Sequence, residues 1–345
     1  MGISYYDTLL PVRELGDGLQ AALAGLRLPY RTLAAVGMPE GRVLMAFVSD
    51  NARLSGMFAA NWAQVNGRPE PDATLYALTR PARSYGLDST WDAARWWSRE
   101  RRTMVVFGFG SYRLVKVCVR GICSAVSGSD TMFLHGCLLS VGAEADKRGI
   151  VVMGSSGAGK TTLVAGLLRH PGYSLTVLND DWGAVSLSSG SSVSTREKML
   201  HMKSCSVLAL RPSFFASASP GSYLCDLSEP DRSARVLVSP EGVYGTAWST
   251  AATIIKHVVV VVREPVDWQP PTQSSAAAVL ESEGGAGLIH HHEAFFNGSL
   301  ILTDEDDKLC EERRYRRLLE RTVVSWVNNC GTPEELVGNF ISAVM

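Results

Sequence analysis

The run Gly154-Ser155-Ser156-Gly157-Ala158-Gly159-Lys160-Thr161 fits the phosphate-cradling pattern G-x-x-x-x-G-K-[ST] at every defined position. Its glycines let backbone N–H groups turn inward and approach a polyphosphate closely. A helix beginning at the end of the loop adds partial positive charge at the same point. Lys160 is placed to reach β- and γ-phosphates, and the Thr161 hydroxyl to hold Mg²⁺. Ser155, Ser156, Ala158 and Thr162 complete the expected nucleotide-binding set. A glycine-rich turn that binds nothing is the bland alternative, and the flanks count against it. Ile150 to Met153 reads as a short buried strand running into Gly154, and Thr161 to Leu168 reads as a helix leaving the loop.

Two further groups have the right chemistry at the right place in the order. His135 ends an apolar run about 20 residues before the loop. Asp180-Asp181 closes the apolar run Ser174 to Leu178, which follows the loop helix. Beside a phosphate loop, paired carboxylates divide naturally: one binds Mg²⁺, and the other takes the proton of an attacking hydroxyl. The alternative is two solvated aspartates in the turn before Trp182-Gly183. No later apolar run ends in an acid, since Val258 to Val262 closes in Arg263.

These groups need a sheet to hold them. Strand-like pieces recur at Met104–Phe107, Ala184–Leu187, Met199–Met202 and His257–Val262, with Gly and Ser between them. Residues 1–100 read as a small α/β lobe: a helical stretch from Val12 to Leu26, strands at Arg42–Val48 and Ala73–Leu78, and a turn at Asn66-Gly67. Trp91, Trp96 and Trp97 read as packing residues, because no basic residues interleave with them. Residues 101–345 read as the phosphate-loop domain. One or two closing helices are expected over 311–345, the second capped at Thr332-Pro333-Glu334-Glu335. Gln269 to Gly287 reads as a surface stretch.

Bulk properties exclude several classes. The chain has 345 residues, is 46% hydrophobic and 19% charged, and has a net charge of −1, which suits a globular protein with a substantial core and argues against a nucleic-acid partner. The longest apolar run, Val258 to Val262, is too short to span a bilayer. The N-terminus lacks the regions of a signal peptide. Seven scattered cysteines without a C-x-x-C pair point to reduced thiols and a cytoplasmic location.

Together, His135-Gly136, the phosphate loop and Asp180-Asp181 resemble the HPr serine kinase family, in the phosphoenolpyruvate-carboxykinase-like branch of phosphate-loop proteins. The likeness covers roughly residues 103–265 and marks a divergent member. It implies an α/β fold with a mixed sheet. It also implies ATP and Mg²⁺, with Lys160 and Thr161 on the triphosphate and metal, Asp180 as base, Asp181 assisting the metal, and His135 near the transferred phosphate. The resemblance further implies an acid on a later strand at the metal, for which Glu197 is the counterpart. The family's glycine-rich signature after the acidic pair has no clear match, which turns the expectation from a protein acceptor toward a small one. The expected function is therefore a kinase moving the γ-phosphate of ATP to a hydroxyl of a small molecule. A protein serine kinase and a nucleotide-dependent regulator without an acceptor stand as alternatives, and self-association stays open. His290-His291-His292, in a loop before the strand-like Ser299–Leu302, admits three readings: an acceptor-site loop, a solvated loop or a metal site. His291, His292 and Asn297 are the candidate acceptor contacts.

Overall fold

The structure is a computed structural model. It describes residues 12–39, 41–67, 69–108, 110–128, 130–142, 148–154, 157–170, 172, 174–180, 182–194, 197–219, 223–225, 234–265, 267, 269 and 313–344. The chain divides into two compact α/β units. The first holds the described residues of 12–128, joined by Glu197 and Lys198; the second holds the other described residues. The break thus falls after Gly128 rather than after residue 100.

The first unit is a seven-stranded mixed sheet with three helices. In chain order it contains β1 (Val12–Glu14), α1 (Asp17–Gly25), β2 (Tyr30–Met38), β3 (Gly41–Ser49), α2 (Ala52–Asn61), β4 (Ala63–Gln64), β5 (Ala73–Ala77), β6 (Arg95–Ser98), β7 (Thr103–Val106) and α3 (Tyr112–Val126). The strand order is β1-β6-β7-β5-β3-β2-β4, with β3, β5 and β7 parallel. β7 is buried along its whole length, as expected of a central parallel strand covered on both faces. This explains the shifted boundary: β7 pairs with β5, and α3 packs on β5. The helical stretch expected from Val12 splits into a strand and a shorter helix. Of the tryptophans, Trp97 is buried, while Trp91 and Trp96 pack with ring centroids 6.1 Å apart.

The second unit carries the phosphate loop. Its elements are β8 (Thr131–His135), β9 (Cys137–Val141), β10 (Arg148–Met153), α4 (Lys160–Arg169), β11 (Leu175–Asn179), β12 (Trp182–Ser186), β13 (Ser191–Ser194), β14 (Leu200–Lys203), α5 (Ser204–Leu210), α6 (Phe214–Ser217), β15 (Tyr223–Cys225), β16 (Arg235–Val238), α7 (Pro240–Tyr244), β17 (Thr253–Val262), α8 (313–319), β18 (Val323–Asn328) and α9 (Pro333–Val344). An eight-stranded mixed sheet runs β11-β9-β10-β17-β13-β12-β8, with β18 also on β17. A separate small sheet runs β14-β16-β15. β10, β17 and β18 are mutually parallel. Apolar side chains cover both faces of the large sheet. One cluster includes Leu163 and Leu167 of α4 with Phe340 of α9. The other includes Tyr315, Leu318 and Leu319 of α8, whose arginines flank this buried stripe.

β18 is absent from the sequence expectation, which ran the closing segment as helix. Its alternation is short, and only the pairing beside Val258–Val262 makes it a strand. The cap of α9 is present as read: Glu335 N donates to Thr332 Oγ1, and Thr332 N donates to Glu335 Oε2.

Candidate functional site

The site is built where several strands of the second unit end together. β10 runs straight into Gly154. β8 and β9 are nearly one strand, interrupted only by Gly136. β11 and β12 are interrupted at Asp180-Asp181. β9 pairs with β11, and β8 pairs with β12, so the two interruptions lie side by side. Backbone register puts Cys137 opposite Val152 and His135 opposite Trp182. His135, Gly136, Gly154 and Asp180 are thus gathered at one end of the sheet by pairing alone. A bulge between Val177 and Asn179, opposite Leu138 and Leu139, directly precedes Asp180. Bulges are a common means of re-aiming a side chain next to a site.

Gly136 is required by this packing. A Cβ there would lie 2.3 Å from the carbonyl oxygen of Val152. The residue after His135 therefore has no room for a side chain, which accounts for the His-Gly pair independently of chemistry.

In the phosphate loop Gly154, Gly157 and Gly159 have φ of 150°, 87° and 113°. These left-handed conformations are open to glycine at little cost. Gly159 is the N-cap of α4 in that conformation. Lys160 opens the helix, and its Nζ donates to the Gly154 carbonyl over 2.7 Å, which folds the ammonium back across the loop. Thr161 is half-buried in the first turn, and Thr162 is exposed. Ala158 is buried against the core. Ser155 and Ser156 lie outside the described residues.

Asn329, just past β18, braces the loop. Its Nδ2 donates to the Ala158 carbonyl over 2.8 Å. Its own N–H donates to Val262 at the end of β17. A Cβ on Gly159 would sit 2.2 Å from Asn329 Nδ2, so the glycine and the asparagine form one fitted pair. Sequence reasoning missed Asn329 because it missed β18.

Asp180 is half-buried and follows the bulge. The Cys137 thiol donates to Asp180 Oδ1 with S···O 2.7 Å. Tyr244 comes from α7, whose N-terminus is capped by Ser239 Oγ accepting from Gly242 N. The Tyr244 ring stacks on Trp248, which bridges to Val177 of β11. Burial, then the charges of Asp180 and Cys137, push the Tyr244 hydroxyl well above the ordinary tyrosine range. The Asp180 carboxylate, as charge and as hydrogen-bond acceptor, favours the protonated phenol. Tyr244 stays protonated at neutral pH and keeps Asp180 in an apolar wall. A signal for Cys137 existed in its spacing two residues after His135; none existed for Tyr244.

Glu197 is held by a buried ion pair. It belongs to the first unit, where its Oε1 is 2.9 Å from Lys116 Nζ and 3.0 Å from Asn61 Nδ2. Both members of the ion pair are buried. A carboxylate so engaged acts as a structural anchor. Among the described residues no group of three His, Cys, Asp or Glu is arranged to hold a metal ion. Asp181, His290, His291, His292, Asn297 and the Ser299–Leu302 strand lie outside the described residues. No protein-family model matches the chain, and no curated protein matches it.

The donors present fit a polyphosphate. Glycines in left-handed conformation turn main-chain N–H groups, a helix N-terminus faces the same loop, and an ammonium sits across it. Among the described residues no helix is long and apolar enough to cross a membrane.

Proposed function

We propose that the chain is an ATP-dependent kinase with an HPr-kinase-like phosphate-loop fold, transferring the γ-phosphate to a hydroxyl of a small molecule. The observation that carries this reading is the convergence of Gly154–Thr161 and Asp180 at one end of one sheet. In this reading Lys160 and the loop N–H groups hold the β- and γ-phosphates, and Thr161 with Asp181 holds Mg²⁺. Bound Mg²⁺ supplies charge neutralisation on the phosphates. Asp180 accepts the proton of the acceptor hydroxyl as its oxygen attacks phosphorus in line with the departing ADP. Cys137 orients that carboxylate through Oδ1. His135, at the end of β8, attends the transferred group.

Incubation with γ-labelled ATP and a cell extract divided by size tests the proposal. Label should appear on a small molecule with the wild-type chain and should be absent with Lys160→Ala. Label on a protein band would instead make the chain a protein kinase. ATP hydrolysis with no labelled product would leave an ATPase or regulator. Unchanged ATP affinity in Lys160→Ala, read by calorimetry, would remove the phosphate-loop assignment itself.

A further inference from the structure

β10 ends at the phosphate loop, but it begins at Arg148, some 17 Å away at about 3.3 Å per residue. A second cleft lies at that opposite end. It has a volume of about 590 Å³ and is lined by Arg148, Lys256, His257, Glu320 and Arg321. This is within the roughly 300–1,000 Å³ range of small-molecule sites. A smaller hollow of about 260 Å³ shares Lys256 and Arg321 with it.

We propose that this cleft binds a small phosphorylated molecule through its phosphate or pyrophosphate group, at a site separate from the phosphate loop.

Three basic side chains, Arg148, Lys256 and Arg321, meet one carboxylate, Glu320, a formal net charge of about +2 within one concave surface. The whole chain carries −1, so this concentration is local and does not reflect a basic protein. Like charges gathered in a cleft repel one another, and a dianion relieves the repulsion. Two of the cations are positioned by main-chain carbonyls. Arg148 Nη1 donates to Val344 over 3.4 Å, and Arg321 Nη1 donates to Leu187. Such anchoring lowers the entropy lost when a ligand binds.

His257 is the most informative residue. Register pairs it with Ile150 of β10 and Val323 of β18, in the middle of the parallel trio. Its Nδ1 is buried and has no hydrogen-bond partner among the described residues. Burial first, and then the positive charge of Arg148, lower its pKa from the ordinary 6.5. The ring therefore reports a positive field, and an anion reverses the Coulombic part of that effect. The concavity and the balanced charge elsewhere favour a small ligand over a nucleic acid or a membrane surface.

The test follows the His257 imidazole by NMR in the full chain, with the resonance identified by its loss in His257→Gln. Sodium pyrophosphate is titrated at constant ionic strength. The expected result is a saturable rise in the His257 pKa. Lys256→Glu should weaken the apparent affinity by about tenfold or more, equivalent to about 1.4 kcal/mol. Lys160→Ala should leave the response intact. The proposal fails if the resonance does not move, if Lys256→Glu responds as wild type does, or if sodium chloride alone gives the same shift. Loss of the response in Lys160→Ala would assign it to the phosphate loop and equally overturn the proposal. This outcome is independent of whether the chain proves to be a kinase.

Discussion

Asp180 is the side chain on which the proposed chemistry turns. Its carboxylate is held by a thiol donor and walled by a protonated phenol, which fixes direction without consuming both oxygens in salt bridges. General-base contributions are typically about 10²–10⁴-fold in rate. Asp180→Asn should therefore retain ATP binding while phosphate transfer to the true acceptor falls by about that factor. Turnover within a few-fold of wild type would exclude Asp180 as base. Cys137→Val keeps the volume but deletes the donor, and a smaller loss confined to turnover is expected. A matching fall in nucleotide affinity would show instead that Cys137 only supports the fold.

The strand β18 and its last contact, Asn329, tie the closing segment to the phosphate loop. β18 pairs with β17 from His257 to Val262. Asn329 then reaches Ala158. Asn329→Ala deletes one side-chain hydrogen bond, worth about 0.5–1.5 kcal/mol. ATP affinity should drop by roughly 2–12-fold, the factor that energy implies, with far-UV circular dichroism unchanged. Unaltered affinity would mean that the brace does not order the loop. Gly159→Ala is harsher, combining a left-handed φ with a 2.2 Å approach to Asn329. Its strain is about 1–3 kcal/mol, and pairing it with Asn329→Ala should recover part of the loss by removing the clash.

The chain as a whole is two units with separate cores, so their stabilities are separable by measurement. In the first, Lys116 and Glu197 form a buried pair with Asn61 as third partner. Breaking such a pair from one side costs about 3–5 kcal/mol, because the remaining charge is stranded. Lys116→Met should thus speed amide exchange in β7 and α3 while leaving β10 and β17 unaffected, and Lys116→Met with Glu197→Gln should recover much of the loss. Slowed ATP·Mg²⁺ binding in Glu197→Gln without any stability change would restore Glu197 to the metal. In the second unit, the lowered His257 pKa sets an acid sensitivity. Well above pH 6.5 the ring is neutral in both folded and unfolded chains, so it contributes no pH dependence. As pH falls through 6.5, the unfolded chain takes up the proton first, and stability declines until the lowered folded pKa is passed. His257→Gln should flatten denaturation midpoints across that window. An unchanged slope would show that another group dominates.

The phosphate loop was legible in the sequence because its chemistry is local. The glycines, the lysine and the flanking strand and helix lie within one contiguous segment, and each residue type is dictated by backbone conformation or ligand charge. Asp180 and His135 were legible as polar residues at strand ends, and the α/β class followed from alternating apolar runs and turn signals. What only the tertiary structure decided was proximity between distant segments. Glu197 has the residue type of a metal ligand, yet pairing with Lys116, 81 positions earlier in the chain, gives it a structural role. Asn329 and Tyr244 carry no local signal at all. They reach the loop and Asp180 because β18 joins β17 and because Trp248 docks on β11. The clustering of basic side chains at the second cleft is the same kind of fact. Arg148, Lys256, His257 and Arg321 belong to three segments, and only the parallel register of β10, β17 and β18 brings their charges together.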